Sequence, residues 1–436
     1  MNTLKSLLNN KKTEYSMLFL ILGYVLFKVA NRSVGDIFLT LLLFGSLLSF
    51  IVNWRFIIKD RIVWLLGLSL LIEVLSWFHG VYFTPYTPSY FTFNPLANLF
   101  FLLPLAYWLK GNISHIFLTL SAYCLGVILA CIFHSEQPIH EFLLGLSGER
   151  VDFGITNANH TATLAGGAVL AAGFMLYVVL KTSNGLQGFY KYSYIGFLIL
   201  VLLINLLLVY MTFSRAVWLA LVMVLTSTIV IFILRSYSMK NFLFKFCITI
   251  LGIVVLAFSL LQIPHISSRV FEEREVIKQL TDQAPEKIEP TSVGVRVKLW
   301  YSAIPWIKQY PLFGLGDKDA SIFVIQQSPY LSPEIKQEFK HLHNGHITIL
   351  VSYGLLGLFV AWGIFAYILK STFMLKSKYK YTIVYAVSMF SLYYFIINIF
   401  ESFFVFKVGE LLQAVILGCI YSFYLKQKLD AEKYYY

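Results

Sequence analysis

An all-α membrane protein of many spans is the fold class this sequence predicts, and three observations carry the prediction. Hydrophobic residues make up 58% of the chain and charged residues only 13%, whereas ordinary soluble domains are about a quarter charged. The mean hydropathy is +0.73. Apolar stretches also recur at about 20 residues, the length at which a helix crosses roughly 30 Å of hydrocarbon.

Taken in order, twelve spans are expected, near residues 15–30, 34–52, 62–80, 96–109, 113–133, 160–180, 194–211, 214–234, 246–262, 346–369, 382–400 and 406–425. The first follows a basic leader with Lys5, Lys11 and Lys12 and has no small-residue cleavage site behind it, so it is expected to stay as a signal anchor. Three regions result: 1–262 with nine spans, a long loop at 263–345, and 346–436 with three spans and a tail. All four cysteines, Cys124, Cys131, Cys247 and Cys419, fall inside expected spans and imply no disulfide framework.

Orientation follows from Lys and Arg, because short loops rich in them stay in the cytoplasm. With the N-terminus inside, 19 of the 34 lie in cytoplasmic segments and 4 (Arg32, Arg150, Arg215 and Lys407) at the opposite ends. Both termini are therefore expected in the cytoplasm and the 263–345 loop on the other side, where the function should concentrate. The same placement accounts for the net charge of +12 as topology signals and contacts with anionic membrane lipids, with no nucleic-acid partner.

The long loop holds ten basic and ten acidic side chains between Ser267 and Lys340, as a solvated structure would. Helices are expected at 268–281 and at 293–309, where Val293, Val297, Trp300, Ile304 and Ile307 recur at helical spacing. Pro305 is expected to kink or shorten the second. A linker rich in turn signals, with Pro285 and Pro290, separates them.

Chemistry-bearing residues gather on this side. His341, His343 and His346 surround Asn344 at the membrane boundary. A neutral imidazole there can accept a proton from an attacking hydroxyl, while Asn344 could fix a ring or contact substrate. As metal ligands the three are poorly spaced and lack a matching acidic or Cys set nearby, so no metal is expected. Residue chemistry does not choose one of the three as the base. Arg215, between two spans, either snorkels to headgroups or binds an anion bidentately. Arg296 offers a second fork, with Lys298 on another helix face; Asn157, Asn159 and His160, at the mouth of a span, either contact sugar or cap a helix. Asp317-Lys318-Asp319 has the form of a metal-diphosphate site, but after Gly314-Leu315-Gly316 it reads as a turn. Glu401, Lys407 and Glu410 lie near the last outer turn, to pair with one another or border the site.

The string His343-Asn344, nine residues, Gly354, two residues, Gly357 resembles the signature of the bacterial O-antigen ligase family. Arg296, Trp300, Pro311 and Gly314-Leu315-Gly316 resemble the loop shared by ligases and polymerases, and Ser214-Arg215 matches the family's other essential arginine by placement. The resemblance is firm over about 205–360. It implies a multispan inverting glycosyltransferase of GT-C type in the inner membrane, acting at the periplasmic face without a cofactor. The implied donor is a glycan on undecaprenyl diphosphate and the implied acceptor lipid A–core oligosaccharide. His343 becomes the expected base and Arg215 and Arg296 the expected stabilisers of the leaving diphosphate; His341, His346, Asn344, Asn157, Asn159 and Lys298 are expected to position substrate. An O-antigen polymerase and a protein O-oligosaccharyltransferase share the donor and differ in acceptor. A flippase for the lipid-linked glycan is the rival of another class, and it would need charges deep in the spans, where the sequence offers chiefly Lys28 and Glu73.

Overall fold

A computed structural model describes residues 8, 10–89, 91, 93, 95–181, 188–234, 267 and 288–433. Ten helices among them are long and apolar enough to cross a membrane. They are α1 (Lys11–Ala30), α2 (Arg32–Val52), α3 (Arg61–Phe83), α5 (Ile113–His134), α7 (Ala158–Lys181), α8 (Phe189–Met211), α9 (Arg215–Leu234), α13 (Gly345–Phe373), α14 (Lys380–Phe400) and α15 (Lys407–Lys433). Between them lie α4 (a 3-10 turn Ala97–Phe101 running into Leu102–Leu109), α6 (Pro138–Ser147), α10 (Ser292–Gln309), α11 (Ala320–Gln326) and α12 (Pro333–Glu338). The fold is all-α and polytopic, as expected.

Of the twelve expected spans, the one at 246–262 lies outside the described residues, and so does the expected helix at 268–281. The span expected at 96–109 needs correcting. Its helix covers only Ala97–Leu109, too short to cross alone, and Pro95 and Leu96 lead into it as non-helical backbone at the level of Glu73 on α3. There Oε1 of Glu73 accepts the Leu96 N–H at 2.8 Å. Backbone this deep needs such a partner, since hydrocarbon offers none.

The spans are not equivalent. The apolar window of α15 is 89% buried and that of α9 only 17%, which puts α15 at the centre and α9 at the lipid-facing edge. Lipid tails are as apolar as leucine, so close packing and interhelical hydrogen bonds must hold the bundle. On α7 the run Ala165-Gly166-Gly167-Ala168 admits close neighbours. Tyr123 of α5 and Tyr393 of α14 donate to the Leu164 and Thr163 carbonyls of α7, each at 2.9 Å. At the end far from the 288–343 segment, Asp60 accepts from Tyr367 and Tyr421 and pairs with Lys428, tying α3, α13 and α15 together.

The extramembrane unit has its own small core, in which Val295, Leu299 and Ala303 of α10 meet Ala320, Val324, Leu331 and Leu342. α10 continues past Pro305 to Gln309 instead of breaking there. A strap at 311–316 then docks into α13 where that helix breaks at Gly354. Leu315 and Gly316 donate to the Val351 and Ser352 carbonyls at 2.8 and 2.9 Å, and Leu355 donates to the Pro311 carbonyl at 2.8 Å. The backbone groups orphaned by the break are thus satisfied by the strap. Gly354 has φ 65°, and a Cβ there would lie 2.2 Å from the Leu312 oxygen, so glycine is required.

Candidate active site

The site grows from the turn between α14 and α15. Glu401 follows the last residue of α14, gives its carbonyl to the Gly345 N–H at 3.1 Å, and accepts the Ser402 N–H on Oε1. Its side chain is 1% exposed. The backbone bonds fix the carboxylate before any partner side chain is considered.

Two imidazoles converge on it from the chain entering α13. Nδ1 of His343 lies 2.9 Å from Oε2 of Glu401, and Nε2 of His341 lies 3.2 Å from Oε1. Phe339 packs edge-on against His343, and Phe406 against His341. From α10, the Trp300 indole donates to the Leu342 carbonyl at 3.0 Å, which clamps the turn that carries both histidines.

Burial lowers the His343 pKa below its ordinary 6.5, and the carboxylate beside it only partly offsets that. Burial also pushes Glu401 up, but the two imidazoles outweigh it and hold the carboxyl well below the usual range. At neutral pH His343 is therefore neutral and Glu401 ionised. An ionised carboxylate only accepts, so the ring proton belongs on Nδ1 and the lone pair on Nε2.

Backbone strain marks the same region. Among the described residues, the non-glycine residues with positive φ are Lys110, Phe153, Thr156, Phe213 and His343. Four of the five sit in the segments that carry Asn157, Arg215 and the histidines. Such conformations cost about 1–3 kcal/mol each and cluster at functional sites.

The other expected residues divide. Arg296 on α10 is within electrostatic reach of His343, and its Nη1 donates to Ser292 Oγ at 3.0 Å. Arg215 opens α9 directly after Ser214, whose hydroxyl donates to Asn159 at 2.9 Å. The neighbouring His160 packs on Phe403 and Phe406, within electrostatic reach of Glu401, His341 and His343. By contrast, Asn344 caps α13 by accepting the Ile347 N–H, and Asn157 accepts the N–H groups of Asn159 and His160 at the start of α7. Their side-chain oxygens are committed to the backbone. His346 turns away from the pair into a cage of Trp362, Phe395 and Phe404, and Lys298 is buried. Asp317 has a structural role, in which its carboxylate accepts from the Tyr86 hydroxyl and the Ser89 N–H and so holds the chain before α4 to the strap.

Residues 198–362 match the model of the O-antigen ligase family. That segment runs from within α8 into α13. The O-antigen ligase match takes in Arg215, Arg296, His341, His343, the strap and the Gly354 break, and covers less than half of the chain. Glu401, Asn157 and Asn159 lie outside it. No curated protein matches the chain. The family is one of glycosyltransferase-like membrane enzymes, in which ligases and polymerases share the domain. From the sequence, Glu401 is expected to pair with Lys407 or Glu410 or to border the site; its distance of 58 positions from His343 hides their pairing from any local motif.

Proposed function

We propose that the chain is an O-antigen ligase that moves a glycan from undecaprenyl diphosphate to a hydroxyl of lipid A–core oligosaccharide, with inversion, at the periplasmic face of the inner membrane. The observation that carries this reading is the buried Glu401 carboxylate 2.9 Å from Nδ1 of His343, since a ring held there leaves its Nε2 free to act as a base. Nε2 takes the proton of the sugar hydroxyl, a contribution of about 10²–10⁴ in rate. The hydroxyl oxygen forms its bond to the anomeric carbon from the face opposite the diphosphate. The bond from that carbon to the diphosphate oxygen breaks, and undecaprenyl diphosphate departs with the electron pair. Arg296 and Arg215 stabilise the charge growing on the leaving group, for which a guanidinium fork suits phosphate oxygens.

The flippase reading loses support at both deep charges. Lys28 is bonded to Asp36, and Glu73 holds the backbone before α4, so each has a structural role.

Deletion of the gene tests the proposal through the lipopolysaccharide it leaves. Polymer retained on undecaprenyl diphosphate with bare lipid A–core is the expected result. Core capped by a single repeat would overturn it in favour of a polymerase.

A further inference from the structure

The donor atoms around Glu401 have a second capability. One ligand atom from each of His341, His343 and Glu401 lies within 4.8 Å of the other two. Each imidazole nitrogen lies against its own oxygen of the Glu401 carboxylate, His343 Nδ1 at 2.9 Å from Oε2 and His341 Nε2 at 3.2 Å from Oε1, near the spacing of about 3.3 Å that ligand atoms keep on a tetrahedral cation with bonds of about 2.0–2.1 Å. Two imidazole nitrogens and one carboxylate are the donor set that suits zinc-class cations. Nε2 of His341 is buried and, despite its 3.2 Å approach, makes no aligned hydrogen bond. The frame is prearranged as well: Glu401 is fixed by backbone bonds, and both rings are wedged by phenylalanines.

We propose that His341, His343 and Glu401 form a binding site for a divalent transition cation such as zinc, and that occupation switches the enzyme off. The blocking step rests on the proposed role of His343. A cation coordinated by Nδ1 needs the lone pair of that atom, so the single ring proton of the neutral imidazole must move to Nε2. Nε2 is the atom that would receive the proton of the acceptor hydroxyl, and once protonated it cannot. The cation also takes over the carboxylate that had fixed the tautomer. Metal and sugar hydroxyl therefore exclude one another through proton placement on a single ring, without any movement of the backbone.

The test uses the full chain in detergent micelles, stripped with EDTA and exchanged into chelator-free buffer. Cobalt(II) serves as a visible-absorption probe and zinc as its competitor, followed also by calorimetry. One equivalent should bind, with affinity reduced tenfold or more in Glu401→Gln and in His341→Ala and unchanged in the exposed His140→Gln. His341 is 31% exposed at the rim, so its variant serves as the test if Glu401→Gln fails to fold. Absence of saturable uptake, or uptake that His341→Ala leaves intact, would overturn the site. Transfer assayed in parallel should fall in step with zinc occupancy; one bound equivalent with undiminished transfer would overturn the blocking step. If His343→Ala still transfers glycan, the proposed base fails, and the binding isotherm judges the metal site separately.

Discussion

At the scale of single residues, Glu401 and His343 act as a couple, and the couple makes a pH prediction. The proposed base must be neutral to work, and burial lowers the His343 pKa from its ordinary 6.5. The acid limb of the transfer rate therefore lies below pH 6.5, with activity retained above it. Glu401 raises the imidazole pKa within that balance, so Glu401→Gln should shift the limb further toward acid. It should also lower kcat by about 10²–10⁴, the range of a general-base contribution, at whose upper end lies the loss of about 10⁴ when the carboxylate that fixes the imidazole of the serine-protease triad becomes its amide. KM should change little, because Glu401 acts through His343. A pH–rate series on both proteins checks this; an unmoved limb would leave Glu401 with a structural role alone. The histidines also show what a sequence can and cannot reveal at this scale. Resemblance singled out His343, but nothing local distinguished His346, whose ring is caged by aromatics brought in from α13, α14 and the 401–406 turn. Asn344, expected to fix a ring or contact substrate, instead caps α13 through the Ile347 N–H, whereas Asn157, for which a cap and a sugar contact are both open in the sequence, takes the cap through Asn159 and His160.

At the scale of elements, the strap and the broken helix form one device. The two glycine-bearing motifs, Gly314-Leu315-Gly316 and Gly354 to Gly357, look independent along the chain. In three dimensions one supplies the hydrogen bonds that the other lacks. Their docking seats the end of α10, and α10 carries Arg296 and the Trp300 that clamps the histidine turn. Gly354→Ala would place a residue at φ 65°, ψ −162°, a region open almost only to glycine and costing about 1–3 kcal/mol. The added Cβ would also meet the Leu312 oxygen at 2.2 Å. A lower melting temperature and a loss of transfer are expected together, measured by thermal denaturation in detergent and by the ligation assay. Wild-type values for both would mean that the break is incidental. Helix periodicity revealed α10 to within one residue at its start. It could not reveal the break, because a glycine inside an apolar helix reads first as a close-packing site. The short α4 escaped for a related reason: hydropathy counts apolar residues and does not register backbone without helical bonding.

At the scale of the whole molecule, spans and orientation rest on different physics, and of the two only the spans are visible in the helices. Ten of the expected spans follow from length and hydropathy alone, since hydrocarbon admits helices whose backbone is satisfied internally. Sidedness comes from charge asymmetry, 19 basic residues against 4, and it makes a prediction of its own. His140 lies on α6, just beyond the end of α5, and Lys378 lies between α13 and α14; both are exposed. α13 starts at the histidine turn and ends next to the segment containing Lys378, so the two positions belong to opposite ends of the bundle. In spheroplasts, His140→Cys should react with a membrane-impermeant maleimide and Lys378→Cys should not, with the order reversed in inside-out vesicles. Cys124, Cys131 and Cys419 are buried, which keeps their background reaction low, and a Cys247→Ser substitution removes the fourth thiol. The opposite labelling pattern would put the His343–Glu401 couple in the cytoplasm, where no periplasmic acceptor could reach it, and the ligase proposal would fail with the topology.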